Sequence, residues 1–191
     1  KKELAPKGEK IIVHVSNFRK VKRVPVVIQI FAKTLGKGIS AKLVLVGDGP
    51  DRQVAEKQCR SLGICEHVHF MGKWERVEDI LSIADLFLIP SGSETFGLAA
   101  LEAMSCSVPV ISSDIGGLPE VNVHGVTGYF CALDDVNCMA DYAFQILSNP
   151  ILHSTLAKNA RKRAEKFNEN HVVLQYEGFY EQIRSSSNKS S

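Results

Sequence analysis

Leu86-Phe87-Leu88-Ile89-Pro90-Ser91-Gly92-Ser93-Glu94-Thr95-Phe96-Gly97-Leu98-Ala99-Ala100-Leu101-Glu102-Ala103-Met104 is the stretch on which the fold turns. Its first five residues are a short apolar run closed by proline. Such a run marks a strand buried on both faces, the usual state in a parallel sheet. A small polar loop, 91–95, follows, and 96–104 reads as an apolar helix. Strand, loop and helix make most of a βαβ unit, and 109–112 supplies the next strand.

The same unit repeats outward in both directions. Strands are expected at 11–15, 42–46, 68–70, 86–90, 109–112 and 127–130, with 71–76 as a loop. Between them, helices are expected at 26–35, 51–62, 77–83, 96–104 and 118–122. Pro25 suits the first turn of one helix, and Gly63 stops another. After the last strand the pattern is helical only: 136–148, 151–167 and 171–183. The reading is therefore α/β, a doubly wound, Rossmann-like parallel sheet of about six strands with a C-terminal helical cap. Residues 1–10 read as a linker, 11–183 as one domain, and the Ser-rich 184–191 as a disordered tail. The polar start has no initiating Met, so the chain is expected to be part of a longer protein.

Composition sets limits. Of 191 residues, 45% are apolar and 23% charged, which is ordinary for a globular domain. With 23 Lys and Arg against 21 Asp and Glu, the net charge is +2, so no strong basic field exists to hold nucleic acid. The most apolar stretch, 80–90, is interrupted by Ser82 and Asp85 and is too short to span a bilayer. No signal peptide opens the chain, and a cytoplasmic location is expected. The five cysteines, Cys59, Cys65, Cys106, Cys131 and Cys138, are odd in number and never spaced as CxxC. Reduced thiols, with neither disulfide nor zinc site, are expected.

Ligands of doubly wound sheets sit beyond the carboxyl ends of the strands. Here those ends are the loops starting at Ser16, Gly47, Met71, Ser91 and Ser113. Glu94 stands before a helix start, where free N–H groups bind anions and Gly97 lets a phosphate approach the backbone. The competing reading is that Ser93, Glu94 or Thr95 caps that helix. Glu102 is a carboxylate in an otherwise apolar helix, so burial is expected and a partner is required. Lying two turns from Glu94, it could face the same ligand. Carboxylates accept hydrogen bonds from sugar hydroxyls, so the pair suggests a nucleotide sugar, with a buried structural ion pair as the alternative.

Ser16-Asn17-Phe18-Arg19-Lys20-Val21-Lys22-Arg23 carries four cations beside the first strand. Lys22 and Arg19 are expected to face a diphosphate, Lys20 and Arg23 the solvent. Gly47-Asp48-Gly49-Pro50 and Gly116-Gly117 are turns that bring backbone close to the site. His14, inside a strand, reads as core, and Trp74 reads as packing more readily than as a stacking platform. No Asp-x-Asp occurs, so no metal or other cofactor is expected.

The run 94–104, with Pro109-Val110-Ile111, Gly116-Gly117-Leu118-Pro119-Glu120-Val121, Val46-Gly47-Asp48-Gly49-Pro50, Phe70 and Gly72, resembles the donor signature of retaining glycosyltransferases of the GT-B fold. The match covers nearly the whole ordered chain. The resemblance implies the C-terminal, donor-binding half of such an enzyme. An N-terminal domain of the same protein would hold the acceptor and a catalytic-site histidine. It further implies that Glu102 holds the ribose hydroxyls and Glu94 those of the donor sugar. Backbone at Phe96, Gly97, Leu98 and Ala99 with Lys22 would hold the diphosphate, and uracil would lie near Met71 and Gly72. Ser16, Asn17, Gly47 and Thr95 complete the donor set, with Glu94, Lys22 and Arg19 as the catalytic group.

Within that family, 15–23 and 70–73 are similar to the transferases that move N-acetylglucosamine from UDP-N-acetylglucosamine to L-malate in bacillithiol biosynthesis. Two departures stand out. Many relatives have Gly-Arg-Leu where this chain has Ser16-Asn17-Phe18, which puts Asn17 at the place of the usual diphosphate arginine and leaves either Asn17 or the nearby Arg19 for that role. Ser107 replaces a glycine in a turn away from the chemistry. The rival readings are a same-fold transferase with a lipid or polysaccharide acceptor, a non-catalytic nucleotide-binding module, and a sugar-nucleotide epimerase. The Glu94/Glu102 pair argues against the module, and 17–23 against the epimerase.

Overall fold

A computed structural model describes residues 1–167. All six strands form: β1 (Lys10–Val15), β2 (Ala41–Val46), β3 (Val68–Gly72), β4 (Leu86–Ile89), β5 (Val110–Ser113) and β6 (Gly128–Cys131). They make one sheet in the order β3-β2-β1-β4-β5-β6, with every neighbouring pair parallel. The order reverses between β1 and β4, which is the topological switch point. Among the described residues, helices α1 (Val24–Gly36), α2 (Arg52–Ser61), α3 (Val77–Leu81), α4 (Leu98–Ser105), α5 (Leu118–Val121), α6 (Val136–Ser148) and α7 (Pro150–Ala164) connect and cover the strands. The expected helix 171–183 and tail 184–191 lie outside the described residues.

Alternation along each strand sends side chains to two cores. Ile12, Leu43, Leu45 and Leu88 pack with Val27, Ile28 and Phe31 of α1 and Met139 and Ala143 of α6. Ile11, Val13, Val44 and Phe87 pack on the other face with Ala100, Ala103 and Met104 of α4 and Ala160 of α7. Each large aliphatic side chain so buried contributes about 1.5–3 kcal/mol, which is why the strands are apolar on both faces. Asp135 caps α6 by accepting from the Cys138 N–H, and Asn149 caps α7 by accepting from Ile151 and Leu152.

Several local expectations are corrected. Met71 and Gly72 belong to β3 and not to a loop, because the Gly72 carbonyl accepts from the Gly47 N–H at 2.7 Å and extends the sheet edge. The segment 1–10 lies against the domain: Ala5 is buried, Lys1 pairs with Asp85, and Lys10 begins β1. Cys131 and Cys138 form a disulfide, against the expectation of reduced thiols. The loop after β6 turns straight into α6 and brings the two Cα atoms within 6.1 Å, inside bridging distance. No helix among the described residues is long and apolar enough to cross a membrane.

Candidate functional site

The site is built where the sheet order reverses, from the loops leaving β1 and β4. Glycine makes their approach possible. A Cβ on Gly47 would sit 1.7 Å from the Ser16 carbonyl oxygen, and one on Gly116 2.0 Å from that of Glu94. Both residues have positive φ, +120° and +58°, a region that side chains disfavour. The turns after β2 and β5 therefore clamp the loops carrying Ser16 and Glu94 by backbone-to-backbone contact. The Gly117 N–H also donates to the Glu94 carbonyl at 3.0 Å.

Lys22 and Glu94, 72 residues apart in sequence, meet across the switch point with Lys22 Nζ 2.5 Å from Glu94 Oε2. Their side chains are 23% and 16% exposed, neither open to solvent nor sealed from it. Gly97 takes φ +91° and starts α4 at Leu98, two residues later than expected. No side chain caps that helix, so the competing cap reading for Ser93, Glu94 or Thr95 is not realised. The N–H groups of Leu98 and Ala99 thus open the helix beside the ion pair, as a phosphate-binding start requires.

A crevice of about 300 Å³ opens at the carboxyl ends of β1, β2 and β3, lined by Ser16, Asn17, Gly47, Asp48, Lys73 and Trp74 together with Val15, Val46 and Val77. Trp74 is 42% exposed, so it is a wall of the crevice and not a packing residue. Lys73 was not singled out from the sequence, and Trp74 was weighed as a stacking platform and set aside for packing; the signal for both as crevice residues was their place after β3. Glu102 faces a second cavity of about 270 Å³, with Glu75, Glu78, Leu81 and Cys106, and Val77 lines both cavities.

Glu102 is exposed, contrary to the expected burial. Helix α4 buries Ala100, Ala103 and Met104, and Glu102 falls off that stripe. The cavity wall still desolvates its carboxyl and raises its pKa above the usual carboxylate value. Arg19 and Asn17 are exposed, and Arg19 makes no ion pair among the described residues. Arg23 was expected to face solvent. It instead pairs with Asp134 from the loop after β6, and its side chain is 18% exposed. Thr95 and Leu98 are exposed, while Phe96 packs edge-on against Phe167. Met71 and Gly72 sit at the end of β3, one residue before Lys73 of the crevice wall. Among the described residues no cluster of His, Cys, Asp or Glu could hold a metal ion.

N-acetyl-alpha-D-glucosaminyl L-malate synthase of Bacillus anthracis is 44% identical over 95% of this chain and 48% of its own length. D-inositol 3-phosphate glycosyltransferase of Rhodococcus erythropolis is 30% identical over 94% of the chain and 42% of its own. The chain thus spans about half the length of the curated relatives it matches. Among solved structures, sucrose-phosphate synthase of Thermosynechococcus elongatus superposes with a TM-score of 0.81 at 28% identity, covering 97% of this chain and 49% of that one. Anabaena Alr3699/HepE, solved with UDP and glucose, shares the fold with a TM-score of 0.83 at 24% identity, covering 96% of this chain and 50% of that one. The fold is that of GT-B glycosyltransferases. Residues 1–163 match the family described as glycosyl transferases group 1, and the chain belongs to that family of transferases.

Proposed function

We propose that this chain is the donor-binding half of a retaining glycosyltransferase that moves N-acetylglucosamine from UDP-N-acetylglucosamine to L-malate. The observation that carries the reading is the Lys22–Glu94 pair at 2.5 Å beside the uncapped start of α4. One arm supplies positive charge and free N–H groups for a diphosphate, the other a carboxylate for sugar hydroxyls. The identity with the Bacillus anthracis malate synthase supports the acceptor. Arg19, exposed beside the loop, is the second cation for the diphosphate.

In this reading the departing diphosphate takes the proton of the acceptor hydroxyl, so no protein nucleophile is needed. Lys22 and the N–H groups of Leu98 and Ala99 stabilise the charge that grows on the leaving group. Glu102 and its cavity take the ribose hydroxyls, and the crevice at Trp74 takes the base. No metal is required, because cation and helix start already face the diphosphate.

The test uses the intact protein with UDP-N-acetylglucosamine, offering L-malate and D-inositol 3-phosphate as acceptors, with and without chelator. Transfer to L-malate with an α linkage, unaffected by chelator, is expected. Preference for the inositol phosphate, a β product or a strict magnesium requirement would each overturn the corresponding part.

A further inference from the structure

Beneath the loop that carries Ser16 lies a fully buried histidine that the reading above leaves unused. His14 is the fifth residue of β1 and is 0% exposed. Its Nδ1 lies 2.8 Å from the Leu88 carbonyl oxygen, and its Nε2 2.8 Å from Ser16 Oγ. The Leu88 carbonyl can only accept, so Nδ1 carries the proton. Burial, with the nearby charge of Lys22 adding to it, lowers the imidazole pKa to about 4, so the ring is neutral and Nε2 is a bare lone pair. The Ser16 hydroxyl must then donate to His14. Ser16 Oγ in turn accepts from the Phe18 N–H at 3.3 Å, at a residue with φ +44°.

The bond to Leu88 has a backbone cause. The ladder between β1 and β4 pairs Ile12 with Leu86 and Val13 with Phe87, and there it stops. Phe87 donates to β5, so the Leu88 carbonyl faces β1 beyond the last rung, and the imidazole occupies it. A carbonyl left unpaired and buried there would be destabilising, so the imidazole has a structural reason to stay.

We propose that His14 is a positioning residue of the donor site: by fixing the Ser16 hydroxyl proton it sets the loop 16–18 and leaves Ser16 with only a lone pair to offer the crevice. Ser16 lines that crevice. With its proton committed, it recognises a ligand that donates, a sugar hydroxyl or a base N–H, and it does not bind a phosphate oxygen. This inference rests on the donor-site reading above, and its tests separate the two.

The first measurement needs no ligand. Nitrogen-15 spectra of the intact protein should show His14 as the neutral, Nδ1-protonated tautomer from pH 6 to 8; the other tautomer or an imidazolium would overturn the proposal. The second is UDP titration of variants. Ser16→Ala removes the relay. His14→Asn keeps a donor near the Nδ1 position and loses the Nε2 acceptor, whereas His14→Gln places an acceptor at the Nε2 reach. Ser16→Ala and His14→Asn should each weaken UDP binding about five-fold, the worth of one neutral hydrogen bond. The double variant should be no weaker than either single one, and His14→Gln should stay within about two-fold of the unaltered protein. Additive losses, or equal losses in Asn and Gln, would overturn the relay. Failure of the unaltered protein to bind UDP would refute the donor reading, and the tautomer measurement would still decide the state of His14.

Discussion

Neutralising Glu94 tests the site most directly, because the structure and a simple charge-lining picture forecast opposite roles for its partner. Glu94 Oε2 lies 2.5 Å from Lys22 Nζ. Exposed ion pairs contribute about 0–1 kcal/mol, and breaking a sealed one costs about 3–5 kcal/mol. Side chains 23% and 16% exposed lie between those limits, so the pair is worth about 1–3 kcal/mol. That attraction competes with a diphosphate for the same ammonium. Glu94→Gln should therefore leave UDP binding undiminished or tighten it by up to about five-fold. It should weaken UDP-N-acetylglucosamine, which loses a carboxylate against its sugar hydroxyls. Lys22→Ala should weaken UDP by about 1–3 kcal/mol, roughly 5- to 150-fold, since a phosphate contact is lost and an unpaired carboxylate remains. Adding Glu94→Gln to Lys22→Ala should recover part of that loss. Calorimetric titration of the three variants with both ligands at one fixed salt concentration reads all of this. Equal weakening of UDP and UDP-N-acetylglucosamine by Glu94→Gln would refute the reasoning, because a purely structural carboxylate makes that forecast.

Gly116→Ala should destabilise the protein and weaken donor binding together, since its Cβ would lie 2.0 Å from the Glu94 carbonyl oxygen. Gly125→Ala is the control: it has similar backbone strain at φ +73° with nothing within 4 Å, so thermal melting of the two separates clash from strain. His14 makes stability depend on pH. Its pKa falls from 6.5 to about 4 on folding, so the unfolded chain binds the proton first; the stability is full above pH 6.5 and about 3 kcal/mol is lost as pH falls toward 4. Urea denaturation in steps across that window should show a steeper slope in the unaltered protein than in His14→Gln, and identical slopes would count against it.

The sheet was legible because its strands are apolar on both faces and separated by polar loops and helices, a pattern that survives without partner information. The ends of elements were less so. Gly97 shortens α4 from its start, and Gly47 lengthens β3 through its bond to Gly72; neither can be read locally, since each depends on a backbone from elsewhere. Glu94 and Lys22 were readable as chemistry from their loops, but not their contact, which spans 72 residues. Arg23 looked like one of a solvated run, and its partner Asp134 is 111 residues away. The apolar character of 96–104 suggested burial all round, yet α4 buries one stripe and leaves Glu102 outside. The cysteine pair was hidden because a separation of seven residues matches no common motif and only the turn from β6 into α6 brings it together.

The short ladder at the middle of the sheet has a mechanical meaning. Six residue pairs join β1 to β2, but only two join β1 to β4, so the sheet is thinnest along the line beneath the ligand site. Side chains stitch that line instead: Asp85 accepts from the Ile11 N–H at one end, His14 holds Leu88 further along, and Lys22 meets Glu94 above it. A donor lying over both loops would add another stitch, and the free energy of binding would appear as resistance to parting the two half-sheets. Recognition and cohesion then share one seam, where amide exchange would slow most when the site fills.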